Sequence, residues 1–151
     1  MIQFAVQMLL VIGFLIYYVA IGAVHPNWSM WMLIPVVLIH LGIMGLGFGI
    51  IVSSLTTKYR DLGILVTFGV QLWMYITPIV YPLALLGEGP TRLLLMINPV
   101  TMPVELFRLI VLGQGLIILP YMVLSWVITL VVAVFGIMLF NRVEKIFMDT
   151  V

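Results

Sequence analysis

Charged residues are scarce in this sequence and cysteine is absent. Lys and Arg number 6 and Asp and Glu 5 in 151 residues, so 7% of the chain is charged. An ordinary soluble domain is about 25% charged, and this composition therefore excludes a soluble globular protein and a disordered segment. The net charge of +1 provides no basic field for a nucleic acid. Without cysteine there can be no disulfide, thiolate metal site or cysteine nucleophile.

What the sequence has instead is four long uncharged runs, at about 2–24, 30–54, 62–82 and 119–140. A helix rises about 1.5 Å per residue, so each run is long enough to cross a hydrocarbon core of about 30 Å. The sequence therefore predicts an all-α, polytopic integral membrane protein, with residues 1–151 forming a single membrane domain of four transmembrane helices.

An apolar stretch between the third and fourth runs predicts two further, shorter helices at about 90–112. Pro90 suits the first turn of one helix, and Asn98 before Pro99 ends it, because a residue before proline is pushed out of the helical region. Thr101 can cap the second helix, which a following glycine stops. Each helix is too short to cross a membrane. The pair predicts a re-entrant hairpin, and two helices lying flat on the outer surface are the alternative.

Basic residues set the expected orientation. Four spans place both termini and the loop Lys58–Asp61 on one side of the membrane, with four Lys and Arg residues against two on the other side. The positive-inside rule makes the first side cytoplasmic. We therefore expect both termini in the cytoplasm.

The third run carries a mixed polar and aromatic face. At 100° per residue, Phe68, Gln71, Tyr75 and Pro78 lie close to one line, and the opposite face, which includes Trp73, suits lipid. An amide is costly in hydrocarbon unless it is paired or wet. This face either lines a transport pathway or makes a helix–helix contact in which Gln71 bonds to a neighbour.

The second and fourth runs carry small and hydroxyl residues that favour packing. Gly45 and Gly49 form a GxxxG pattern, which predicts close helix–helix contact, and Ser125 and Thr129 align on a packing stripe of the fourth run. His40 could relay protons. No acidic or basic residue lies in the four runs to join it, so we expect a neutral His40 that hydrogen-bonds to a neighbour.

Glu105 and Arg108 lie three residues apart in the second short helix and can form an ion pair. Between short apolar helices, they predict either a polar lock at an outer gate or a surface pair whose charges turn to water.

Catalytic signatures are missing. The sequence has no HExxH, no GxSxG and no GxxxxGK[ST], so we expect no catalytic residues and no ATP bound by a P-loop in this chain. The two histidines lie 15 residues apart at different depths, which does not suit a metal site.

Several motifs together resemble one family. They are the glycine-rich Gly45–Gly49, the loop Lys58–Leu62, the segment Gln71–Pro82, the turn Asn98–Pro103 with Glu105 and Arg108 after it, and the tail Arg142–Asp149. The set is similar to the ABC-2 type permeases of bacterial polysaccharide exporters, which include O-antigen, capsule and teichoic-acid export systems.

This resemblance implies a permease subunit in the bacterial plasma (inner) membrane that moves lipid-linked polysaccharide out of the cytoplasm. Such permeases have six spans, form homodimers and pair with a separate P-loop ATPase, which binds ATP-Mg. The chain matches the last four spans and lacks the two before them. By resemblance, the short helices are outer gate helices carrying Glu105 and Arg108. Lys58, Tyr59, Arg60 and Asp61 form a loop near the ATPase, and Phe68, Gln71 and Tyr75 lie beside the channel.

Three other functions compete with polysaccharide export. The nearest is an ABC-2 permease for a lipid or drug, because one fold hosts several cargoes. An ion-coupled secondary carrier is disfavoured by the uncharged spans. A structural membrane subunit would have no pathway. We expect no cofactor in the chain, and the partners expected are the ATPase, a second permease copy and membrane lipids, with no nucleic acid.

Overall fold

The computed structural model describes residues 2–59, 61–79 and 81–148, and within these ranges it contains helices and no strand. The six α-helices are α1 (Ile2–Ala20), α2 (Ile34–Lys58), α3 (Leu62–Ile76), α4 (Pro90–Ile97), α5 (Thr101–Leu112) and α6 (Leu119–Met148). Short 3-10 turns lie at Trp28–Leu33, just before α2, and at Leu83–Leu85, between α3 and α4. The all-α prediction is confirmed for the described residues.

Two segments of the described chain, Trp28–Thr57 and Leu119–Val143, are long and apolar enough to cross a membrane, and the bent pair α4–α5 would make a third if it counts as one span. Helix α3 is shorter than expected, because it ends at Ile76 rather than near residue 82. Thr77, which precedes Pro78, has an extended backbone with ψ 130°, the conformation that a following proline favours. At about 1.5 Å per residue, α3 is only about 22 Å long.

Helices α2 and α6 form the central pair, and glycine allows their close approach. An ideal Cβ at Gly47 would lie 3.1 Å from the Cα of Ala133, and one at Gly136 would lie 2.8 Å from the carbonyl oxygen of Gly47. By contrast, a Cβ at Gly45 or Gly49 would meet nothing within 4 Å. Within the described residues Gly47, which α2 turns toward α6, makes the close contact, and the helix contact predicted for Gly45 and Gly49 stays a prediction.

A buried polar cluster joins the same two helices. His40 Nε2 lies 2.9 Å from Thr129 Oγ1 and 3.3 Å from Ser125 Oγ, and its ring stacks on Trp126 with a centroid distance of 4.0 Å. Thr129 donates its hydroxyl hydrogen to the Ser125 carbonyl, and Ser125 donates its own to the carbonyl of Pro99. Since both hydroxyl hydrogens are used, His40 Nε2–H donates to Thr129. The expected hydrogen bond from His40 to a neighbour is confirmed.

Helices α4 and α5 form the bent pair, with 93° between their axes. Pro90 lies in the first turn of α4 and Asn98 ends it, as expected. Thr101 does not cap α5: the cap position is Val100. The Thr101 hydroxyl instead donates to the carbonyl of Leu95 in α4 (2.6 Å), which fastens the bend from inside.

The buried side of α5 packs against α2 and α6. Ile110 and Val111 pack with Val37 of α2, and Met102 packs with residues of α4 and of the turn before it. Gly113 ends α5 with φ +71°, the left-handed conformation that glycine adopts most readily. Its ideal Cβ would collide with the carbonyl oxygen of His25, so glycine is also required here by the close approach of the α1–α2 connection.

Candidate functional site

The polar and aromatic side chains of α3 lie on an exposed surface of the chain. Phe68 is 64% exposed and Tyr75 70%, and Gln71, one turn before Tyr75, is exposed as well. We call Phe68, Gln71 and Tyr75 the open face of α3. Gln71 makes no hydrogen bond to another helix among the described residues, so a helix–helix contact through Gln71 would need a partner from outside them, and both alternatives for this face stay open.

Pro78 does not belong to the open face. Its ring is almost completely buried, because the chain leaves the helix at Thr77 and turns toward α5. The prediction that Pro78 lines a pathway together with the other three residues is wrong in this structure. Its carbonyl oxygen instead accepts a hydrogen bond from Arg108 Nη2 (3.1 Å).

The face of α3 that carries Trp73 points toward α2. The Trp73 ring meets the ring of Phe48 edge to face, with a centroid distance of 5.1 Å. A cavity of about 500 Å³ lies between the two helices, lined almost entirely by apolar side chains that include Met44 and Val70. Helix α2 of the same chain covers part of this face, but Trp73 is still 41% exposed, so its contact with lipid stays a prediction.

Glu105 is the centre of a buried polar junction at the far end of α3. Its side chain is 0% exposed. Oε1 accepts hydrogen bonds from Arg108 Nη1 (2.5 Å) and from the backbone N–H of Leu83 (3.2 Å), and Oε2 accepts one from the backbone N–H of Leu116 (2.9 Å). One carboxylate thus connects α5 to the turn before α4 and to the segment that leads into α6.

Arg108 completes this junction. Its guanidinium donates to the carbonyl oxygens of Pro78 (3.1 Å), Ile79 (2.9 Å) and Tyr81 (3.3 Å), all in the chain that leaves α3. The Arg108 side chain is only 12% exposed. We call Glu105, Arg108 and these backbone partners the charged junction. A surface pair turned to water, the alternative from the sequence, is contradicted by the burial of Glu105.

The charged junction provides hydrogen-bond partners for backbone groups that lie outside the α-helices. Five backbone groups of the irregular segments around α4 bond to its two side chains. Non-helical backbone at membrane depth needs such partners, because lipid provides none. The ion pair therefore holds the end of α3, the bent pair and the entrance to α6 in one arrangement.

Thr77 and Asn98 form a second link that the sequence did not single out. Thr77 is buried, and its hydroxyl accepts a hydrogen bond from Asn98 Nδ2 (2.9 Å). Asn98 Oδ1 accepts from the backbone N–H of Val100 (3.1 Å). The only sequence signal was that each of the two polar residues precedes a proline at a helix end, which indicates a turn but not that the turns meet.

The loop between α2 and α3 is short. Lys58 is the last residue of α2, and Tyr59 is exposed, with its N–H bonded to the carbonyl of Leu55 (2.8 Å). Asp61 is exposed and precedes α3 without a side-chain cap. Arg60, also expected in the ATPase-contact loop, lies outside the described residues. The loop is at the opposite end of α3 from the charged junction.

No three His, Asp or Glu side chains of the described residues converge in a way that could hold a metal ion. Glu105 and Arg108 bond to each other and to backbone groups.

Comparison with known proteins defines the class of this arrangement. Residues 1–112 match the family model of the ABC-2 type transporter. The chain therefore belongs to the ABC-2 type transporter family, whose members are membrane permeases. The family resemblance drawn from the sequence motifs is confirmed.

One relative is more specific. The chain is 30% identical over 82 residues to a Myxococcus xanthus protein described as an O-antigen export system permease protein, RfbA. The match covers 52% of this chain and 32% of that relative. The chain thus spans about a third of the curated relative that it matches.

Proposed function

We propose that this chain is part of the membrane-spanning permease of an ATP-driven exporter that moves lipid-linked polysaccharide out of the cytoplasm. The observation that carries the proposal is the open face of α3, where an amide and two aromatic rings stand exposed on an uncharged helix. Family membership and the O-antigen export relative support the same class of cargo.

The chemistry of the open face suits a sliding sugar chain. Sugars present hydroxyl groups at their edges and C–H groups on their faces, which an amide such as Gln71 and rings such as Phe68 and Tyr75 can contact. No charge on the face would hold the cargo tightly. Weak, repeated contacts are what a processive path requires, since every contact must also be released.

The charged junction fits the role of an outer gate. It lies at the end of α3 that is opposite the charged α2–α3 loop, and it fixes the bent pair α4–α5 against α6. Its hydrogen bonds form a discrete set that can be made or broken together, which a two-state gate requires. We propose that α4 and α5 re-enter the membrane from outside and that Glu105 and Arg108 lock the closed state.

The proposed assembly has four spans from this chain, α1, α2, α3 and α6, with both termini in the cytoplasm of a bacterial inner membrane. A separate P-loop ATPase binds and hydrolyses ATP-Mg and contacts Lys58, Tyr59, Arg60 and Asp61. A second permease copy completes the channel, so that the open face of α3 meets the cargo and not lipid. Gly45 and Gly49, which are uncovered within the chain, are available for that second copy.

Export by the complete assembly in cells tests the proposal. Polysaccharide on the outer surface is measured with an antibody after expression of the chain with its other subunits and ATPase. We expect export to stop when the P-loop lysine of the ATPase is replaced, and to continue for a time when a protonophore collapses the proton gradient while ATP is kept constant. Export that follows the proton gradient, or that persists without ATP hydrolysis, would contradict the proposal.

A lipid or drug is the second candidate cargo, and one observation favours it. The cavity of about 500 Å³ between α2 and α3 is lined by apolar side chains such as Met44, Phe48 and Trp73. An apolar molecule could occupy it. Filling the cavity with Val70→Trp should abolish export of such a cargo but leave polysaccharide export intact, and this difference separates the two candidates.

A further inference from the structure

A second cavity, of about 550 Å³, opens where α4 begins, between that helix and the start of α6. Its wall is mainly apolar and includes Leu93 and Met96 of α4, Ile118 just before α6, and Tyr121 of α6. Two charged residues, Glu88 and Arg92, also line it. The volume is in the range of small-molecule sites, about 300–1,000 Å³. A cavity that is apolar in depth and charged at one end suits an amphiphilic ligand.

Arg92 lacks a partner within the described chain. Its Nε atom is buried and has no hydrogen bond, and the ion pair between the described residues involves Arg108, not Arg92. A buried donor without an acceptor is costly and rare in native structures. Arg108 bonds to four acceptors, whereas the half-buried Arg92 bonds to none among the described residues, so its guanidinium is available to an acceptor from outside the chain.

Glu88 determines which kind of acceptor fits. It is exposed at the rim of the same cavity and forms no ion pair with Arg92. A ligand that carried only negative charge would be attracted by Arg92 and repelled by Glu88. A ligand that carries both a phosphate and an ammonium group would complement both side chains.

We propose that this cavity binds a phospholipid with a phosphoethanolamine head group. The phosphate meets the guanidinium of Arg92, a charge-assisted contact of the strong kind, and the ammonium meets the carboxylate of Glu88. The first part of an acyl chain lies against Leu93 and Ile118. The site does not depend on polysaccharide as the cargo, and in the proposed orientation it lies in the outer leaflet.

The lipid would fill the cleft between α4 and α6. Met96 lines the cavity and also belongs to the buried cluster with Leu83, Leu95 and Met102. A lipid in this position extends that cluster and holds α4 against α6, next to the charged junction. Lipid occupancy is therefore expected to stabilise the bent pair.

Lipid retention by the purified full chain tests the site. Delipidated protein is titrated with phosphatidylethanolamine or phosphatidylglycerol of equal chain length, and bound lipid is counted by native mass spectrometry. We expect phosphatidylethanolamine to bind more tightly. Arg92→Gln should weaken it about tenfold, the effect of losing one charge-assisted hydrogen bond, and the charge-matched control Arg142→Gln, at the other end of α6, should not.

Two further variants keep the test decisive if Arg92→Gln does not fold. Glu88→Gln should remove the preference for phosphatidylethanolamine over phosphatidylglycerol, whereas Asp61→Asn, an exposed acid in the α2–α3 loop, should keep it. Leu93→Trp, at an exposed position on the cavity wall, should exclude both lipids by filling the space.

Four results would overturn the proposal. The first is that phosphatidylglycerol binds as tightly as phosphatidylethanolamine or more tightly, and the second is that inorganic phosphate alone binds as tightly. The third is that Leu93→Trp leaves lipid binding unchanged. The fourth is that a polyisoprenyl phosphate binds in place of phosphatidylethanolamine. The last would assign the cavity to the lipid carrier of the cargo. None of these results depends on export, so failure here is distinguishable from failure of the proposed function.

Discussion

The α2–α6 interface and the charged junction hold the chain together by opposite means. At the interface, Gly47 and Gly136 bring two helix backbones together, and the polar groups around His40 are all neutral residue types. At the junction, a carboxylate and a guanidinium bond to backbone that no helix satisfies. Regular helices need only packing, whereas broken backbone in a membrane needs polar partners.

This difference indicates which region can move. Close-packed backbones have no alternative arrangement of similar energy, because small shifts produce clashes or voids. A set of hydrogen bonds centred on Glu105 and Arg108 can be exchanged for bonds to water or cargo. We therefore propose that the α2–α6 pair is the rigid part of the chain and that the charged junction is the part that rearranges.

The largest expected effect is at Glu105. Glu105→Ala leaves Arg108 buried without its counter-charge, which costs about 3–5 kcal/mol when a buried pair is broken. The free energy of unfolding, from SDS titration followed by tryptophan fluorescence, should fall by this amount, or the protein should fail to accumulate. Asp61→Ala removes an exposed acid that caps no helix and serves as the control. Similar small losses at both positions would mean that the junction does not hold the fold.

The next largest effect is expected at the α2–α6 contact. Gly136→Val places a side chain against the Gly47 carbonyl, and overpacking of this kind costs about 1–3 kcal/mol. Gly49→Val makes the same chemical change where the chain leaves open space, so it should change the stability of the isolated chain much less. Unfolding by SDS compares the two. Equal losses of unfolding free energy for the two variants would indicate that Gly45 and Gly49 lie at the helix contact.

A smaller effect is expected in the neutral cluster. Thr129→Val removes the acceptor of His40 Nε2–H but keeps the shape of the side chain. Hydrogen bonds between membrane helices contribute about 0.6 kcal/mol on average and up to about 1.7 kcal/mol, so a loss of about 1 kcal/mol is expected in the same titration. Thr67→Val serves as the control, since that hydroxyl bonds only to Gly63 of its own helix. A loss of unfolding free energy as large as that of Glu105→Ala would mean that the α2–α6 interface depends on its polar groups as strongly as the charged junction does.

The smallest effect on stability is expected at the open face. Tyr75→Ala should leave unfolding nearly unchanged, because the side chain is 70% exposed. Export by the complete assembly should slow roughly two- to fivefold, the rate equivalent of one lost aromatic contact. Gln71→Leu should slow it less. Trp73→Ala, which removes the contact with Phe48, should lower stability more than Tyr75→Ala does, and the opposite ranking would contradict the face assignment.

The sequence predicted what depends on local pattern. Uncharged runs gave the helices, Pro90 and Asn98 gave the limits of α4, and a set of short motifs gave the family. The sequence did not predict contacts between segments that lie far apart along the chain. Whether Gly47 or Gly49 faces α6 depends on helix rotation, and a difference of one or two residues changes the face by 100–200°. The burial of Pro78 and the bond between Thr77 and Asn98 depend on how α3 ends, which brings together turns about 20 residues apart.

Cysteine labelling of α3 tests the central claim, that the open face lines a water-filled path for the cargo. The chain has no cysteine, so each introduced thiol is the only target on it. In the complete assembly, Tyr75→Cys and Gln71→Cys should react with a membrane-impermeant maleimide, and trapped polysaccharide should slow both reactions, whereas Trp73→Cys should react slowly with or without cargo. Rapid labelling of Trp73→Cys, together with slow labelling of Tyr75→Cys and Gln71→Cys when no cargo is present, would contradict this claim.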